Sequence, residues 1–140
     1  MAVPPGHPFA TRTEVRLADL NGQTFVGFDE DLTIRRELDR FFKEQGVEVN
    51  LAMHFDNIHT IKEMVVQGAG ISILPARTMQ AEIAEGRMVA VKLHAPELGR
   101  PVGVVHRRKK RLNRAAQAFV ELLVEQPAGM EAGKLEVVEV

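Results

Sequence analysis

An α/β domain with a mostly parallel sheet flanked by helices is the fold class that the sequence predicts. Three observations predict it. Short β-branched and aromatic runs alternate with segments of helical period, the order that builds parallel sheets. The helical segments stop at glycines, namely Gly46, Gly68 and Gly86. The run "GISILP", Gly70 to Pro75, is apolar on both faces, as a strand covered by helices on both sides should be. The 140 residues fit one domain, and a hydrophobic content of 45% is enough to fill its core.

Each element has a local reason. "VPPGHP" (Val3 to Pro8) is excluded from helix by its prolines, which lack backbone donors and push their predecessors toward extended geometry. "LADL" (Leu17 to Leu20) suits one helical turn, and "NGQ" (Asn21 to Gln23) reverses the chain. "TFVGFD" (Thr24 to Asp29) has strand composition. In "DLTIRRELDRFFKEQG" (Asp31 to Gly46), Ile34, Leu38, Phe41 and Phe42 share one helical face, Asp31 can cap the start and Gly46 can close the end. "VEVNLAMHF" (Val47 to Phe55) alternates as a second strand.

The next helix buries Ile58, Ile61, Met64 and Val65. Its candidate caps are Asp56, Asn57 and Thr60, the last at capping-box spacing from Glu63. Gly70 to Pro75 is the third strand, and Thr78 begins a short helix that ends near Gly86. "MVAVKL" (Met88 to Leu93) and "VGVVHR" (Val102 to Arg107) are the fourth and fifth strands, joined by "PELGRP". Asn113 can cap a last helix running to about Glu125, with Ala116, Phe119, Val120, Leu123 and Val124 on one face. The end "KLEVVEV" (Lys134 to Val140) is either a short added strand or disorder.

Composition removes several function classes. A net charge of −1 gives the chain no general attraction to nucleic acid or anionic membrane. Without cysteine there is no disulfide, thiolate metal site or cysteine nucleophile, and the chain suits a reducing compartment. "MAVPPGHPFA" is not built as a secretory signal, and no apolar run approaches the roughly 18 residues of a membrane span.

Candidate chemistry is sparse. The histidines His7, His54, His59, His94 and His106 lack the HExxH or HxxxH spacing of helical metal sites; His54 and His59 can approach each other at a strand end, but the set reads as rim and surface polar residues. Asp29, Glu30 and Asp31 have no nucleophile or base partner and read as helix-start acids. Ser72, the only serine, lies within an apolar strand and lacks a GxSxG elbow. "GAG" (Gly68 to Gly70) follows a helix and precedes a strand, the reverse of a phosphate loop. The basic run "HRRKKR" (His106 to Arg111) lacks interleaved aromatics and reads as an exposed turn. No catalytic residue, metal or cofactor is expected. In open α/β sheets ligands bind beyond the carboxyl ends of strands, where "FDEDLT" (Phe28 to Thr33) and "FDNIHT" (Phe55 to Thr60) would lie.

Three blocks, "VPPGHPFA…LADLNGQTFVGFDED", "IKEMVVQGAGISILP" and "RPVGVVHRRKKRLNRAAQAFVELL", taken in order and spacing, resemble the effector-binding domain of LysR-type transcriptional regulators from about Val3 to Glu125. The resemblance implies a lobe like those of type 2 periplasmic binding proteins, in which two α/β lobes joined by two crossover strands hold a small effector in the cleft. In that frame residues 1–7 are a crossover strand from a first lobe, 8–98 the second lobe, 99–126 the return crossover and terminal helix, and 127–140 a tail. The opening half of the first lobe, the linker helix and the DNA-binding winged helix have no counterpart, so a truncated regulator is the expectation. The two rim loops carry over as effector contacts: Phe28, Asp29, Thr33, Asn57 and Ile58. Thr33 and Asn57 would hydrogen-bond the effector, and Phe28 and Ile58 would shape its pocket.

The resulting expectation is a cytoplasmic effector-sensing module, not an enzyme. Its partners would be a small polar or anionic metabolite and further copies of itself, with DNA reached only through a separate N-terminal domain and no membrane involved. Association is expected because Phe119, Val120 and Leu123 would lose part of their cover. The alternatives are a solute-binding lobe, a small enzyme on the same scaffold, which would need an acid–base pair across the cleft, and a lobe retained only for oligomerisation.

Overall fold

The computed structural model describes residues 1–95, 98, 103–106, 112–125 and 136–139. The chain divides into two compact units, Met1–Ala95 and Pro96–Val140, so the connection "PELGRP" opens the second.

The first unit contains β1 (Ala2–Val3), β2 (Glu14–Arg16), β3 (Thr24–Phe28), α1 (Thr33–Glu44), β4 (Asn50–Phe55), α2 (Ile58–Val66), α3 (Gln80–Ala84), β5 (Val89–Ala90) and β6 (Lys92–His94). Short 3-10 helices cover Pro8–Thr11, Leu17–Leu20 and Ala76–Met79. β3 pairs in parallel with β4, and Phe25 bridges in parallel to Ile71 on its other side. Ser72 then bridges antiparallel to Ala2, and β1 runs antiparallel to β5. The strand order is therefore β4, β3, Ile71–Ser72, β1, β5. A separate parallel pair joins β2 to β6.

The α/β alternation and the mainly parallel pairing are as the sequence predicts, with three local differences. The strand expected over Gly70 to Pro75 keeps sheet bridges only at Ile71 and Ser72. Its neighbour β1 is two residues long, and Pro75, which has no N–H, leads into the 3-10 helix. The helix expected from Thr78 is that 3-10 turn followed by α3. The strand expected over Met88 to Leu93 breaks at Val91, because β5 and β6 pair with different partners. β2 and the Pro8–Thr11 turn had no sequence assignment, while β1 lies within residues 1–7, where the resemblance implies a crossover strand.

The core lies between the sheet and its helices. From α1 it takes Leu38 and Phe42, from α2 Ile61 and Val65, and from the sheet Phe25, Val26 and Ile71. Phe25 and Phe42 meet edge-on with ring centroids 5.8 Å apart. Gly46 and Gly68 close α1 and α2 with φ of 64° and 81°, a left-handed geometry that favours glycine. Among the described residues no helix is long and apolar enough to cross a membrane.

A buried ion pair ties α2 to α3. Lys62 Nζ donates to Glu82 Oε1 at 2.7 Å and to the Thr78 carbonyl at 2.9 Å, with the two charged side chains only 13% and 5% exposed. The Lys62 hydrogen bond, aided by Glu82's own backbone N–H and opposed by burial, holds the Glu82 carboxyl below its ordinary value of 4.5.

In the second unit, β7 (Gly103–His106) pairs in parallel with β8 (Glu136–Glu139), and α4 spans Arg114–Glu125. The C-terminal run is thus a strand over those four residues. Asn113 caps α4 as expected, its Oδ1 accepting from Ala116 N–H at 2.8 Å. Ala116 and Val120 are half-buried, while Phe119, Leu122 and Leu123 are exposed. Pro101 and Val102 of the return crossover, and Arg107 to Arg111 of the basic run, lie outside the described residues.

Two predictions follow from this packing. A Cβ at Gly70 would lie 2.6 Å from the Thr24 carbonyl oxygen, which is backbone and cannot rotate away. Gly70→Ala should therefore cost about 1–3 kcal/mol in urea unfolding. Gly27→Ala, whose one tight contact is the end of the Leu51 side chain at 2.8 Å, should cost less.

Lys62→Met leaves Glu82 buried without its cation and should cost about 3–5 kcal/mol at neutral pH. Because Glu82's folded pKa is depressed, the pair's contribution is complete above 4.5 and is lost as pH falls through the folded value. Urea unfolding of both proteins at pH 7 and pH 4 should show the gap narrowing in acid; a gap that stays constant contradicts the assignment.

Candidate functional site

Parallel pairing places the carboxyl ends of β3 and β4 at one edge, with Phe28 opposite Phe55 in register. Each strand then hands over to a helix, β3 to α1 and β4 to α2. The two junctions, Phe28 to Thr33 and Phe55 to Ile58, therefore start from the same sheet edge. The Asp29 N–H donates to the Phe55 carbonyl at 3.1 Å, carrying the pairing one residue past the strand end.

The five selected residues occupy different environments there. Phe28 is only 7% exposed, so most of its ring belongs to the core beneath the rim. Asp29 is half-buried, and its Oδ1 accepts from His54 Nδ1 at 2.5 Å. Thr33 is exposed as the first residue of α1. Asn57 is the N-cap of α2, and its Oδ1 accepts from His59 N–H at 2.7 Å, which settles the choice among Asp56, Asn57 and Thr60. That bond leaves the Asn57 amide NH₂ as the group available to a ligand. Ile58 is half-buried in the first turn of α2.

Asp31 does not cap α1. The cap position is Leu32, which has no side-chain acceptor, because a turn from the Asp29 carbonyl to the Leu32 N–H delays the helix. The start of α1 therefore carries helix-terminal N–H groups without a side-chain cap, a suitable place for an acceptor atom.

Two further side chains shape the rim. Arg35 reaches back from α1, with Nη1 donating to the Phe28 carbonyl at 3.0 Å and Nε to Asp39 at 2.8 Å. His54 comes from β4 through its pairing with Gly27, and His59 lies on α2. The helical spacing of Arg35 and Asp39 is visible in the sequence; the His54–Asp29 contact depends on a register shift between Phe25 and Val26 that has no sequence signal. Ser72 is completely buried, which removes the only serine as a surface nucleophile.

The rim is polar at its two helix starts and apolar beneath them. It offers a hydroxyl, an amide, an uncapped helix start and half-buried apolar side chains, while its Asp29 is engaged by His54 and its Arg35 by Asp39.

Comparison with known proteins agrees with this architecture. The RuBisCO operon transcriptional regulator of Allochromatium vinosum is 33% identical over 127 residues, covering 91% of this chain and 42% of that protein. The chain thus spans about two-fifths of that relative's length. The structure of HinK, a LysR family transcriptional regulator from Pseudomonas aeruginosa, superposes with a TM-score of 0.64 at 26% identity, over 86% of this chain and 41% of HinK. The regulatory domain of Synechocystis CcmR in complex with 2-PG superposes with a TM-score of 0.67 at 18% identity, over 92% of this chain and 62% of that one. These likenesses give the fold as the periplasmic-binding-protein-like type 2 class. The family model for the LysR substrate binding domain matches residues 1–128, and the chain belongs to that family.

Proposed function

We propose that this chain is the effector-sensing portion of a LysR-type transcriptional regulator, acting in the cytoplasm by binding a small polar or anionic metabolite rather than by turning one over. The observation that carries this reading is the convergence of the β3–α1 and β4–α2 junctions at one sheet edge. It presents ligand-binding groups without a nucleophile or a free acid–base pair. Asp29, Thr33 and the Asn57 amide are the polar contacts, with Ile58 and the exposed margin of Phe28 as the apolar floor. The sensor works by binding one conformation of the regulator more tightly than another.

The same reading assigns residues 8–98 to the second lobe, with residues 1–7 and the region around Pro101 to Val105 as crossovers. Contact with DNA is left to the separate winged-helix domain of such regulators. Exposed Phe119 and Leu122, 60% and 56% accessible, favour association of copies.

Two measurements test the proposal. In a thermal-shift screen of small organic acids, phosphorylated acids and polyols, at least one compound should raise the melting temperature. Thr33→Ala should leave stability within about 0.5 kcal/mol, since Thr33 is exposed, yet weaken that compound up to roughly tenfold by loss of one hydrogen bond. Affinity untouched by Thr33→Ala and by Asn57→Ala would move the site elsewhere. Sedimentation velocity should show a dimer or larger species that Phe119→Glu dissociates; a compact monomer at high concentration contradicts the association.

A further inference from the structure

We propose that His59, Glu63 and Glu82 form a binding site for a divalent transition-metal ion of the zinc type, pinning α2 to α3. His59 and Glu63 are four residues apart on α2 and so share one face. Glu82 enters from α3. One ligand atom from each residue lies within 4.8 Å of those of the other two. Bond lengths of about 2.0–2.2 Å to zinc place tetrahedral ligands roughly 3.3–3.5 Å apart, a closure of about 1.5 Å at most. Exposed His59 and half-buried Glu63 can supply that movement by side-chain rotation.

A second, independent observation points to a missing partner. Glu82 is buried, and its Oε2 is shielded from solvent without any hydrogen-bond partner. Such an orphaned acceptor in a folded protein calls for an explanation, and an ion is one. Lys62 occupies Oε1, so coordination by Glu82 would use Oε2.

The surrounding charges allow the exchange. Arg87 Nη1 holds Glu63 at 3.3 Å, while Arg87 Nε holds Glu85 at 2.7 Å. Arg87 can therefore release Glu63 to an ion and keep a carboxylate partner. An imidazole with two carboxylates favours zinc, cobalt or nickel over magnesium or calcium, which prefer all-oxygen sites. Three protein ligands leave a fourth position for water or an acceptor atom. The site is independent of the effector reading, since it uses none of the five rim residues.

Calorimetric titration of the full chain with zinc chloride alone, at neutral pH, tests it. One saturable ion per chain is expected. His59→Ala and Glu63→Gln should each weaken it by roughly tenfold or more, while His54→Ala should leave it unchanged. Cobalt in place of zinc should give visible absorption bands that His59→Ala abolishes. Because His59 is exposed, its replacement should leave the melting temperature of the ion-free protein unchanged, which separates ligand loss from unfolding. No saturable binding, binding that survives His59→Ala, or binding lost instead in His54→Ala would each overturn the proposal.

Discussion

The close backbone approach of Thr24 and Gly70 sets the geometry on which the first unit depends. The Thr24 carbonyl accepts the Ile71 N–H at 2.9 Å, and the Ile71 carbonyl accepts the Val26 N–H at 2.9 Å. These two bonds make β3 an interior strand, with Ile71 on one side and β4 on the other. An interior strand buried on both faces must be apolar, and Phe25 and Val26 are. Parallel neighbours end at the same edge, so the polar residues that follow β3 and β4 are forced together. The rim is thus a consequence of sheet register and needs no separate device to assemble it.

α2 links that rim to the interior. Asn57 fixes its first turn, Ile61 and Val65 one turn apart seal the sheet, and Lys62 between them turns to α3. A rigid helix with a fully buried stripe cannot bend locally when its first turn is pulled by a ligand. On the proposed effector reading, a displacement there would pass along the helix and reach α3 through the Lys62–Glu82 pair. This physical continuity is what a binding module requires to convert occupancy into a shape change, provided the two shapes bind the ligand unequally.

Helical period and glycine stops revealed α1 and α2 to within a few residues, because an amphipathic stripe and a positive-φ closure are local properties. The two rim loops were readable for the same reason: each is what remains between a strand and a helix. Pairing was not readable. β1, only two residues long, has no periodicity to detect, yet it supplies the antiparallel bridge at Ser72. The break at Val91 arises from two different partners for β5 and β6, a tertiary fact with no local signature. The same holds for the rim. Thr33 and Asn57 were chosen through the resemblance, whereas the burial of Phe28, the His54 contact and the reach of Arg35 arise across the fold. Asp31 shows the limit of capping rules: an acid at the right distance is bypassed when a preceding turn moves the helix start.

The rim's charge balance bears on what it can hold. Asp29 is hydrogen-bonded to His54, and the Arg35 charge is balanced by Asp39. Glu30, Asp31 and Asp56 remain, all exposed. Their repulsion of an anion at 4 Å is about 1 kcal/mol each in water and is screened further by salt. A hydrogen bond from a backbone or hydroxyl donor to a charged acceptor contributes about 1.5–3 kcal/mol. Two such bonds, from the start of α1 and the Thr33 hydroxyl, outweigh the exposed acids if those side chains turn to solvent. A neutral polar ligand avoids the repulsion but also forgoes the stronger bonds. On the proposed reading, a carboxylate or phosphate at the start of α1 would meet donors, whereas one bridging toward exposed Asp56 would bring acid and anion together without a donor between them.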